Sequence, residues 1–162
     1  MRLSGWILLA LLSLAGCAST APVLNTEGVS RSPSPQQLTA GEAVPDDTPL
    51  LWGGVIVSAS NLPQYTQLEV LAYPLAGLRP DTGETPLGRF LIRHAGYLET
   101  LDYASGRELS VVGKVTGMQD QRIGEAAYRF PLMEDEQLHL WPSASRREAP
   151  RVNFGFGVVL SN

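Results

Sequence analysis

With 162 residues, 12 basic and 16 acidic side chains and a net charge of −4, the chain has room for one modest domain and lacks the basic surface on which phosphate binding rests. That balance argues against a nucleic-acid partner. A single cysteine leaves no intrachain disulfide and no thiolate metal cluster to consider.

The first stretch sets an address. Arg2 precedes the apolar run from Trp6 to Leu12, which continues through Ser13 to Leu14. This is a positive n-region and a short h-region, well below the roughly 20 residues a spanning helix needs. Leu14-Ala15-Gly16-Cys17 follows and resembles the lipobox of bacterial lipoproteins. Small residues suit an extended peptide in a peptidase cleft, and the thiol is the group that takes up diacylglycerol. Residues 1–16 are therefore expected to be a signal peptide, and Cys17 the lipid attachment site. An ordinary secretory cleavage near Ala18-Ser19-Thr20 is the competing reading. It leaves the lone cysteine there unexplained. Two or three acyl chains of the palmitate class suffice for stable anchoring. By resemblance to lipoprotein sorting, Ala18 in place of an inner-membrane Asp implies the outer membrane, with the protein facing the periplasm.

Residues 18–49 are rich in Ser, Thr, Pro, Gln, Ala and Gly, and Pro22, Pro33, Pro35, Pro45 and Pro49 oppose a long helix or central strand. The composition predicts a lipidated N-terminus and flexible linker over 17–49, holding a domain roughly 30 Å from the lipid on average. The competing reading packs part of this segment on the domain, with Val23-Leu24 as the piece to do so.

At Leu50 the composition changes, and residues 50–142 read as the domain. Leu50 to Ser58 predicts a buried strand, with Gly53-Gly54 suggesting a bulge or bend. Thr66 to Tyr73 is a second strand, residues 76–87 a loop, and Arg89 to Arg93 a third strand with Phe90 and Ile92 inward. Tyr97 to Tyr103 fits a turn or two of helix, with Leu98 and Leu101 placed to plug one end of a barrel. Leu109 to Gly117 alternates as a half-buried strand, with Ser110, Lys114 and Thr116 outward. A hairpin loop at Met118 to Arg122 leads into Glu125 to Leu132, and Glu134-Asp135-Glu136 is read as a solvated turn before Leu138 to Trp141. The predicted class is all-β, a small OB-like antiparallel barrel with a short helix, and a β-sandwich is the alternative. The tail at 143–162 carries Arg146, Arg147 and Arg151, then a Phe-Gly alternation that fits an edge strand; contact with lipid head groups is the second reading.

No reaction can be derived from these residues. His94 and His139 each end a strand with no carboxylate at metal-ligand spacing, and His139 is expected to pack beside Trp141. Neither a nucleophile elbow nor a Ser-x-x-Lys around Lys114 is present, and Gly155-x-Gly157 lacks the rest of a nucleotide fingerprint. Glu99 and Asp102 read as water-facing. Trp52, Tyr73 and Trp141 form either a platform for a sugar or peptide or part of the core, and core is preferred. No catalytic residue, metal or cofactor is assigned, and the ligand is left unknown.

Leu51-Trp52-Gly53-Gly54-Val55-Ile56, Leu68 to Leu75, Gly88-Arg89-Phe90, Val111 to Gly117, Ile123-Gly124-Glu125 and Leu138-His139-Leu140-Trp141-Pro142 occur in that order. In this the chain resembles the Slp family of outer membrane lipoproteins, over the signal, Cys17 and residues 50–142. The resemblance implies a periplasm-facing lipoprotein of starved or stressed cells that stabilises the envelope, and it carries no catalytic residue over; a non-enzymatic scaffold is the first functional reading. Its partners would be the outer membrane, through lipid on Cys17, and an envelope protein or peptidoglycan. A periplasmic glycan- or peptide-binding module is the alternative, and a hydrolase the third reading.

Overall fold

The computed structural model describes residues 23–143. Seven strands follow one short helix, α1 at Pro35–Thr39: β1 Leu50–Asn61, β2 Tyr65–Ala72, β3 Leu75–Ala76, β4 Arg79–Pro80, β5 Arg89–Ala95, β6 Glu108–Ile123 and β7 Ala126–Leu140. The five long strands close into a barrel in the order β1-β2-β5-β7-β6, and β3 and β4 form a separate two-stranded hairpin. Neighbours run antiparallel except β5 and β7, which are parallel, with Leu91 beside Leu132 and Arg93 beside Glu134. The all-β reading holds.

Alternation fills the interior. Leu50, Trp52 and Ile56 of β1, Leu68 and Val70 of β2, Phe90 and Ile92 of β5 and Met133 of β7 share one buried cluster. The Trp52 and Phe90 rings meet edge to face at 5.0 Å. Gly53 and Gly54 are sites of close approach rather than a bulge: a methyl group on Gly54 would strike the Leu71 carbonyl, and one on Gly53 the Leu75 side chain. The β1 bulge falls at Val57, where the register shifts between Ile56 and Ser58.

Several expectations are corrected. Residues 24–49 are not a free linker. Leu24 and Leu38 are buried, Ser30 bridges Leu50, and Trp52 Nε1 donates to the Pro33 carbonyl at 3.0 Å. Proline prevents a long helix here but not packing, and Leu24 seals the outward-facing Leu51 and Val112. The helix lies in this same segment, opened by a capping box in which Ser34 and Gln37 satisfy each other's backbone N–H, with Pro35 in the first turn. Tyr97 to Tyr103 holds only a turn, in which the Glu99 carbonyl accepts from the Asp102 and Tyr103 amides.

The Met118–Arg122 stretch is strand, not loop. β6 and β7 run on as a two-stranded ribbon and turn at Gly124-Glu125, where Gly124 has φ +61°. Glu134 to Glu136 lies inside β7, with Glu136 taken up as a bulge between the Gly113–Asp135 and Val112–Gln137 pairs. Ser110 is fully buried, because the β3–β4 hairpin covers that face: its hydroxyl donates to the Leu78 carbonyl and accepts from Trp141 Nε1. The predicted loop at 76–87 is thus part strand, since the hairpin occupies residues 75–80. The expected edge strand at Val152–Leu160, the basic tail residues and Cys17 lie outside the described residues.

Candidate functional site at the barrel mouth

Strand parity builds the site. Phe90 and Ile92 point inward on β5, so His94, two residues on, also points inward where the strand ends. On β7 Met133 points inward and Asp135 follows it. The parallel pairing of Arg93 with Glu134 brings the end of β5 beside the interior of β7, and His94 Nδ1 meets Asp135 Oδ2 at 2.7 Å. Only 5% of the Asp135 side chain is exposed, against 28% for His94. Opposite Asp135 stands Gly113, where a methyl group would press on the Glu134 carbonyl and Asp135 Cα.

A polar rim closes this end. Thr66, fully buried on β2, accepts from the Leu98 amide at 3.0 Å and donates to Asn61 Oδ1 or to the Gly96 carbonyl; Asn61 Nδ2 donates to the Leu98 carbonyl at 3.1 Å. Leu98 packs on the core as the plug the sequence suggested, but Leu101 points into solvent. The Tyr103 hydroxyl is held above its ordinary pKa, first by burial, then by the charges of Asp135 and Asp102, with Arg107 opposing.

Beside the pair a cleft of about 400 Å³ opens, lined by Gln64, Tyr65, Arg93, Ala95, Glu134 and Asp135. The Arg93 guanidinium lies 4.8 Å from the Tyr65 ring centroid and 3.6 Å from Glu134. Asp135 Oδ1 and Arg93 Nε are both buried without a hydrogen-bond partner among the described residues. An unpaired acceptor and an unpaired donor next to one cleft are what a ligand bearing both a donor and an acceptor would satisfy. The His94–Asp135 pair has the form of a base with its orienting carboxylate. Among the described residues no hydroxyl or thiol is hydrogen-bonded to the ring as a nucleophile.

The two histidines are not brought together. His139 lies on the outer face of β7 with its ring 4.5 Å from that of Trp141, as expected from the sequence, and burial lowers its pKa. The aromatic platform is not assembled either. Trp52 is core at 3% exposure and shares with Tyr73 the lining of a small cavity near Pro35, while Trp141 lies apart under Arg79 with its centroid 5.8 Å from Cζ. No group of three or more His, Cys, Asp or Glu suited to a metal gathers among the described residues. No described helix is long and apolar enough to cross a membrane. Sequence reasoning missed the partner of His94 because Asp135 was placed in a turn. The inward parity of Met133 was the signal that locates it.

The model of the outer membrane lipoprotein Slp family matches residues 14–157. The chain belongs to that family. Among relatives, the uncharacterized lipoprotein YeaY of Escherichia coli is 32% identical over 135 residues, covering 80% of this chain and 67% of its own length. An uncharacterized protein of Haemophilus influenzae is 27% identical over 143 residues, covering 85% of this chain and 75% of the relative. The outer membrane protein Slp of E. coli is 26% identical over 91 residues, 56% of this chain and 48% of that protein. As a Slp-family member the chain is an outer membrane lipoprotein. The family match includes Leu14 to Cys17 and residues 24–49, the packed segment that composition alone assigned to a linker.

Proposed function

We propose that this Slp-family protein is a non-enzymatic, lipid-anchored scaffold that stabilises the envelope under starvation or stress from the periplasmic face of the outer membrane. The anchor is lipid on Cys17, and the barrel is held near the leaflet. The observation that carries this reading is the packing of residues 24–49 on the barrel, which leaves only the stretch from Cys17 to Val23 to join lipid and domain. An extended chain of that length reaches at most about 20 Å. A domain on so short a lead cannot range across the periplasm. It works where the leaflet is. Fractionation of cells carrying Cys17→Ala tests the anchor: the variant is expected as precursor or soluble periplasmic protein, and retention in the outer membrane fraction contradicts the reading.

A second reading, a binding module for a periplasmic glycan or peptide, is favoured by the cleft beside Asp135 and its two unpaired polar atoms. Calorimetric titration with peptidoglycan fragments and oligosaccharides tests it. Saturable heat that disappears in Asp135→Asn supports it, and no heat from any of them removes it. Hydrolysis has less behind it, since the His94–Asp135 pair lacks a bonded nucleophile among the described residues.

A further inference from the structure

The cleft beside Asp135 is walled by strand parity. Leu68 and Val70 of β2 and Phe90 and Ile92 of β5 fill the core, so Tyr65, Arg93 and Ala95 stand on the outer face. The Tyr65–Ala95 and Arg93–Glu134 pairs bring them together with Glu134. At about 400 Å³ the cleft lies at the small end of the range for small-molecule pockets. Tyr65 and Ala95 give it apolar surface, Gln64 an exposed carboxamide, and the rest is one guanidinium and two carboxylates. The two polar atoms without partners among the described residues differ in kind: Asp135 Oδ1 accepts and Arg93 Nε donates. Asp135 is the fixed part, since its side chain is 5% exposed and its other oxygen is held by His94. Arg93 is the movable part, with 37% of its side chain exposed and a contact to Glu134 of 3.6 Å.

A ligand group seated here must donate to one of these atoms and accept from the other, or a buried polar atom stays unpaired at a cost. A phosphate or carboxylate only accepts, and it would meet Glu134 and Asp135. An ammonium only donates. A peptide offers both, but a trans amide points its N–H and C=O in opposite directions. Adding an extended peptide as a strand also needs a free sheet edge, and β5 is paired here on both sides, to β2 through Ala95 and to β7 through Arg93. A hydroxyl donates and accepts from a single atom and brings no charge. We propose that the cleft binds one uncharged saccharide unit, with a ring hydroxyl donating to Asp135 Oδ1 and accepting from Arg93 Nε. The proposal rests on the binding-module reading above and names its ligand class. Both atoms lie just below the cleft surface, so the sugar meets them as Arg93 turns toward it. That turn also frees the Tyr65 ring, 4.8 Å from the guanidinium, for the C–H face of the sugar.

The test uses the full lipoprotein in a sugar-free zwitterionic detergent and saturation-transfer NMR. The probes are cellobiose and N,N′-diacetylchitobiose as neutral saccharides, glucuronate as an anionic one, and tri-alanine as a peptide. A neutral disaccharide is expected to bind saturably, with Kd raised about tenfold or more in Asp135→Asn and in Arg93→Gln. Glucuronate and tri-alanine should show no transfer. Should Asp135→Asn fail to fold, Arg93→Gln, at a half-exposed side chain, decides the matter alone. A saccharide signal that the folded variants leave unweakened places the sugar elsewhere and overturns the proposal, as does glucuronate bound as tightly as the neutral probes. Tri-alanine bound in place of the sugars, and lost in the same variants, overturns the saccharide while the binding-module reading stands. Silence from every probe defeats both.

Discussion

Where one strand passes close to another, no room is left for a Cβ, and Gly54 and Gly113 are such places. A methyl group on either would strike a carbonyl, of Leu71 or of Glu134. Gly54→Ala is expected to lower stability by about 1 to 3 kcal/mol through forced backbone displacement. Gly83→Ala, whose methyl would meet only the Asp81 side chain, should stay within about 0.5 kcal/mol of the parent. Urea midpoints of the two variants decide this, and equal midpoints contradict it. Asp135→Ala leaves a donor of His94 without its partner at the barrel mouth, at a cost of about 1 to 3 kcal/mol. Thermal melts of Asp135→Ala and His94→Ala, singly and together, should be non-additive if the pair acts as a unit. His139 supplies a pH dependence. Burial lowers its folded-state pKa below the ordinary 6.5, so the unfolded chain binds the proton more readily. Its contribution is present above the unfolded value and is lost as pH falls through 6.5 toward the lowered folded value. His139→Gln is expected to flatten that part of the stability-pH profile, and an unchanged slope contradicts the assignment.

At the scale of elements, the packed segment before β1 is the part of the fold whose removal is most informative. The Leu51 amide donates to the Ser30 carbonyl, the Gln36 amide to the Leu87 carbonyl, and Leu38 fills a place in the main core. A fragment beginning at Leu50 strips the cover from Trp52 and should show a red-shifted Trp emission and a lower melting temperature than one beginning at Val23. Equal spectra and melts would mean the segment is dispensable. Ser34→Ala, removing half of the capping box, should cost about 1 kcal/mol. The strands of the barrel were legible because Leu68, Val70, Phe90, Ile92, Val111 and Val115 keep a period of two. The segment before them was less so: its prolines report what the backbone cannot do, while Ser34-Pro35-Gln36-Gln37 before Leu38 was a readable capping signal. The ribbon beyond Val115 escapes a sequence reading because its half-buried face carries Gln119 and Gln121 rather than apolar residues, so burial alternates there while hydrophobicity does not. Ser110 was misplaced because its cover comes from β3 and β4, distant in sequence. The His94–Asp135 contact depends on a parallel register between β5 and β7 that no local pattern encodes.

For the whole molecule the question is how far the barrel stands from the lipid. A coil over residues 18–49 would hold it roughly 30 Å away on average. A lead from Cys17 to Val23 holds its first fixed residue within about 20 Å even when fully drawn out. The difference separates a domain that reaches into the periplasm from one confined to the leaflet's surface. The packed segment at Leu24 and Leu38 bears on it, because a barrel that shed that segment would regain the longer reach. Neutron reflectometry of the purified lipoprotein on a supported zwitterionic bilayer measures that separation directly. The account predicts protein density beginning within about 20 Å of the lipid; a water-filled gap of about 30 Å beneath the domain would contradict it.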